Sequence, residues 1–152
     1  MGARAMAEED RELEEILENL ARRIAQQRVS QSAEAVEARE PVTYITSYGL
    51  FREIICRNPL VVAIFTSPTC PACSVYKPIF YRYAAETSKK LGRRIVFAEV
   101  DVYYAPEAAY EAGVMATPTT VIFKKCRPVD GFTGIADEET LHQIVLQHIA
   151  KG

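Results

Sequence analysis

The sequence predicts an α/β fold in which helices cover both faces of a central mixed sheet, with one amphipathic helix in front of it. Three observations carry this. Short apolar runs alternate with helical periodicity from Val42 to Gly113, the pattern of strands joined by crossover helices. Two more β-rich runs, Thr119 to Lys124 and Val129 to Thr133, flank Cys126-Arg127-Pro128 and read as an antiparallel hairpin with its turn there. One further helical stretch closes the chain.

Residues 10 to about 28 form the leading helix, because Leu13, Ile16, Leu17, Leu20 and Ile24 recur at offsets of three and four on a single stripe. Glu12, Glu14, Glu15 and Glu18 precede Arg22, Arg23 and Arg28, the order that a helix dipole favours. From Gln26 to Glu40 the composition turns to Gln, Ser, Ala and Glu, and Pro41 then disfavours helical geometry at Glu40. A boundary is expected there, with an extension and linker over 1–40 and the main domain over 41–152. Inside the domain, Val42 to Ile45 is a short strand and Ser47 to Cys56 a helix whose inner face carries Leu50, Phe51, Ile54 and Ile55. Leu60 to Phe65 is apolar throughout, as a strand buried on both faces must be. The next helix starts at Cys70, passes Pro78 and ends near Lys90, with Gly92 as terminator. Ile95 to Val100 is a strand, and Ala105 to Ala112 a short helix stopped by Gly113. Asp137 caps the last helix, which packs Leu141, Ile144, Val145 and Ile149.

Charge excludes some partners. With 18 basic and 20 acidic residues in 152, the net charge of −2 offers no field for nucleic acid or an anionic membrane. Neither a secretion signal nor a membrane span is read in the sequence, so a cytoplasmic location is expected. There, four cysteines point to catalysis or redox sensing.

The chemistry centres on Cys70-Pro71-Ala72-Cys73. A strand running into a helix leaves unpaired backbone N–H groups at the helix start, and these with the dipole stabilise a thiolate on the first cysteine. Structural zinc uses the same spacing but needs two further ligands, and the other cysteines, Cys56 and Cys126, stand alone. No metal and no cofactor are expected.

These landmarks match a family. Residues 42 to 150 resemble thioredoxin in Cys70-Pro71-Ala72-Cys73 after a buried strand, Pro78 five residues later, Ala116-Thr117-Pro118-Thr119 before a strand ending Phe123-Lys124-Lys125, and Gly134 after the hairpin. The resemblance implies a five-stranded mixed sheet with four helices, and a protein that reduces, forms or exchanges protein disulfides. It implies Cys70 as the nucleophile and Cys73 as the resolving thiol. Thr69, Pro71, Ala72, Thr117, Pro118, Gly134 and Ile135 would border the substrate, with Thr117-Pro118 cis. The implied partners are disulfide-bearing proteins and a thioredoxin reductase or equivalent donor. A disulfide oxidase or isomerase, or a non-catalytic adaptor assembling through the leading helix, are the alternatives on the same scaffold.

The chain departs from the family at the place of its buried aspartate, which is Ile64 here. Glu99 stands where many relatives have a lysine, and as a third catalytic candidate its carboxylate would relay the proton of Cys73. Thr66 and Thr69 replace common tryptophans and imply a smaller, more polar face, while Lys77 and Lys124 read as exposed. The family fold also brings Cys56 and Cys126 to the sheet end away from the active site, as a structural disulfide or as two buried thiols. The stripe of the leading helix needs a cover, supplied by its own domain, a partner or a second copy in a homodimer.

Overall fold

The computed structural model describes residues 11–24 and 40–149. Contacts divide the chain into a unit over 1–39 and a unit over 40–152. In the first, a helix (α1) covers 11–24 and leaves Leu13, Ile16, Leu17, Leu20 and Ile24 exposed. The parts of the predicted helix at 10 and 25–28, and the linker before Glu40, lie outside the described residues.

The second unit runs β1 (Val42–Ile45), α2 (Tyr48–Arg57), β2 (Leu60–Thr66), α3 (Pro71–Leu91), β3 (Val96–Asp101), α4 (Pro106–Glu111), β4 (Thr119–Lys124), β5 (Arg127–Thr133) and α5 (Glu138–Ile149). The five strands lie in the order β1-β3-β2-β4-β5. β3 is parallel to β1 and β2, whereas β4 is antiparallel to β2 and β5. The sheet is therefore mixed, with β2 buried along its whole length.

Strand alternation divides the core into two layers. Val62 and Ile64 of β2 face Tyr76, Phe80 and Tyr83 of α3 and Leu141 and Val145 of α5. Val61, Ala63 and Phe65 face Phe51 and Ile55 of α2 and Ala105 and Ala108 at α4. Caps fix the helix starts: the Ser47 hydroxyl accepts from Leu50 N–H at 3.2 Å, and Asp137 Oδ1 accepts from Thr140 N–H at 2.8 Å. Gly92 ends α3 with a φ of 58°.

The hairpin differs from the expectation. Its turn is Lys125-Cys126, both at positive φ (50° and 74°), closed by the Lys124↔Arg127 pair. Pro128 is inside β5, at a register shift opposite Phe123 on the edge of the sheet, where its missing N–H costs the ladder nothing. Gly131 on the same strand is set by close approach, because a Cβ there would stand 2.7 Å from the Thr120 carbonyl oxygen. Gly131→Ala is expected to cost about 1–3 kcal/mol, the range for overpacking against backbone, measurable by urea unfolding.

Candidate active site

The last residues of β2 and the start of α3 form the site. Cys70 is the N-cap of α3 with extended backbone, and Pro71 occupies the first turn, where its missing N–H leaves no bond unmade. The Cys73 N–H donates to Cys70 Sγ at 3.2 Å, so the sulfur takes the place that a capping oxygen usually fills. Cys70 and Cys73 are joined in a disulfide. Cys70 is half-buried while Cys73 is 1 % exposed, so attack from outside is possible only at the first sulfur.

A second segment closes over the pair. The Thr117–Pro118 bond is cis, and Cys70 Sγ lies 3.3 Å from the Thr117 carbonyl oxygen. Gly134 N–H donates to the Pro118 carbonyl at 2.8 Å, at a φ of 97° that glycine tolerates. Cys70, Cys73, Thr117, Pro118 and Gly134 are thus linked by direct contacts. Thr69 and Pro71 are exposed beside them, Ala72 is half-buried and Ile135 is 49 % exposed.

Glu99 is 2 % exposed and stands beside Ile64 in the β2–β3 ladder, on the face covered by α3. Its Oε2 accepts from the Thr66 hydroxyl at 2.6 Å and pairs with Lys77 Nζ at 2.8 Å, and its Oε1 accepts from the Tyr81 hydroxyl at 2.5 Å. Burial, and then the neighbouring carboxylate, push the Tyr81 phenol well above its ordinary value. Among the described residues no hydrogen bond joins Glu99 to Cys73.

Two expectations are corrected here. Lys77 is not simply exposed but ion-paired with a buried carboxylate. Thr66 is 1 % exposed and bound to Glu99, so it adds nothing to the outer face. Both had a signal in the sequence. Thr66 shares the β2 face of Ile64 by alternation, and Lys77 and Tyr81 follow Cys73 at four-residue steps on one side of α3.

Tyr76, beneath the site, donates or accepts at 2.9 Å with Thr120, and burial raises its phenol to about 12. Tyr44 is raised to about 12 by its hydrogen bond to the Asp101 carboxylate, at 2.6 Å. A raised folded-state value keeps its stabilisation below the unfolded value near 10 and loses it as pH climbs to about 12. Thermal stability is therefore expected to fall between about pH 10 and 12. Tyr76→Phe should flatten that fall, as read by melting temperatures across the range.

A buried sulfur bonded to an accessible one at a helix start, roofed by a cis-proline loop, defines a thiol–disulfide oxidoreductase that cycles between dithiol and disulfide. Comparison with known proteins agrees. The thioredoxin family profile matches residues 42–147. Thioredoxin of Malassezia sympodialis is 31 % identical over 109 residues, 72 % of this chain and all of that one. Its solved structure superposes with a TM-score of 0.64, covering 72 % of this chain and 92 % of that chain at 30 % identity. Thioredoxin of Equus caballus is 34 % identical over 106 residues, 68 % of this chain and 95 % of its own. The chain belongs to the thioredoxin family.

Proposed function

We propose that the protein reduces disulfides of other proteins in the cytoplasm and is recharged by a thioredoxin reductase or an equivalent dithiol donor. The observation that carries this is the placing of Cys70 Sγ, which meets both the α3 N-terminus and the Thr117 carbonyl. An extended substrate segment pairs with the Thr117 backbone and lies along Thr69, Pro71, Ala72, Pro118, Gly134 and Ile135. The Cys70 thiolate attacks one substrate sulfur, forming a mixed disulfide and releasing the other sulfur as a thiolate. Cys73 then loses its proton and attacks Cys70, which frees the reduced substrate and leaves the Cys70–Cys73 disulfide.

For that second step, Ile64 has no group that can accept the Cys73 proton, and the oxygens of Glu99 already have three partners. We assign Glu99 a positioning role: it holds the Lys77 ammonium one helical turn past Cys73, where a cation favours the thiolate. Lys77→Met is expected to slow resolution several-fold, read as a longer-lived mixed disulfide in stopped-flow mixing. The exposed stripe of α1 supports pairing with a second copy. Leu17→Glu is expected to lower the sedimentation mass of the full chain to that of a single copy, and an unchanged mass would remove the pairing.

Insulin reduction by dithiothreitol, followed by turbidity, tests the main reading. Acceleration over the Cys70→Ser variant supports it, and equal rates would remove it.

A further inference from the structure

A second disulfide joins Cys56, exposed near the end of α2, to Cys126, half-buried in the β4–β5 turn. The seven residues of β2 separate it from the catalytic pair by about 20 Å of strand. Leu60 and Lys124 pair in the β2–β4 ladder beside it, so backbone hydrogen bonds hold the two segments together along with the sulfurs.

The surroundings are cationic. Lys125 and Arg127 stand on either side of Cys126 in the chain, and with Lys124 and Arg94 they also line a groove of about 860 Å³ over Leu60 and Ile95, on the sheet face opposite the one that Cys126 packs against. Among the described residues, Arg94, Lys124, Lys125 and Arg127 make no ion pair. Arg57 is already neutralised by Glu53 at 2.7 Å, and His148, also on the groove, lies 2.8 Å from Asp130 Oδ2. An accessible disulfide among unneutralised cations favours a negatively charged attacker, because the field raises its local concentration.

We propose that Cys56–Cys126 is a thiol-exchange site for a small anionic thiol, whose carboxylates meet Lys125 and Arg127 beside Cys126 while its sulfur reaches Cys56. The incoming thiolate bonds to Cys56 Sγ as the Cys56–Cys126 bond breaks. The electron pair leaves on Cys126 as a thiolate, stabilised by Lys125 and Arg127 and then protonated from water. One disulfide is exchanged for one mixed disulfide, with no outside oxidant. A second molecule of the thiol attacks the bound one, releasing the small disulfide and the Cys56 thiolate. The reverse steps restore the cross-link.

The test uses the full chain carrying Cys70→Ser and Cys73→Ser, at low ionic strength. It is mixed with glutathione (anionic), 2-mercaptoethanol (neutral) or cysteamine (cationic), quenched with N-ethylmaleimide and mapped by peptide mass spectrometry. Per thiolate, glutathione is expected to open the bond at least about tenfold faster than cysteamine, with the adduct on Cys56 and the gap closing in high salt. Replacing Lys124, Lys125 and Arg127 by Gln should slow both thiols through the leaving group, and glutathione several-fold more than 2-mercaptoethanol. Equal rates, a gap indifferent to salt, an adduct on Cys126, or opening only in denaturant would each overturn the proposal. Should the serine variant fail to fold, peptide mapping of the wild-type chain resolves the two disulfides and gives the same comparison.

Discussion

Cys70→Ser is expected to lower disulfide reduction by at least about a thousandfold, because a serine hydroxyl at neutral pH has neither the ionisation nor the nucleophilicity of a thiolate. The fold should be unaffected. A serine oxygen still accepts from the Cys73 N–H and still caps α3, so the melting temperature of the reduced protein should shift by only a few degrees. Cys73→Ser gives a different outcome. Capture of substrate survives, release does not, and the mixed disulfide at Cys70 accumulates in a non-reducing gel. Such opposite behaviour of two neighbouring cysteines follows from their burial, one sulfur half-buried and the other 1 % exposed.

The second large effect is on stability. Glu99→Ala is expected to cost about 3 kcal/mol, since it leaves the buried Thr66 hydroxyl and the Tyr81 phenol without their acceptor and opens a cavity beside Ile64. For a domain of this size that lowers the melting temperature by about 10 °C. The Lys77 contribution is smaller, because its side chain is 41 % exposed and water takes over when the carboxylate is lost. Glu99→Gln keeps an acceptor and the volume, and should cost less than half as much by urea unfolding. A Glu99→Ala protein as stable as the parent would show that the buried network adds nothing net.

What the sequence shows in advance is what depends on local pattern. β2 is legible because a run of apolar residues buried on both faces has no polar break, and the Cys70 site because strand, cysteine and helix follow one another directly. Where long-range register decides, legibility stops. Pro128 attracts a turn assignment, yet it sits at a bulge on an edge strand where nothing needs its N–H. Glu99 is visible as an oddity on a strand, but its three partners come from two other elements, and only the Ile64↔Glu99 register and the α3 face identify them together. Lys77 reads as a surface lysine for the same reason. The Cys56–Cys126 link joins residues 70 apart, and neither cysteine has a local motif that announces the other.

The account depends on the Cys70 sulfur being held as an anion at the start of α3. The rate of iodoacetamide alkylation of Cys70 in the reduced protein, measured from about pH 7 to 9, tests this most directly. A thiolate already formed at pH 7 predicts a rise of at most about twofold across that range, whereas an ordinary thiol titrating near 8.5 would rise about 25-fold and contradict it.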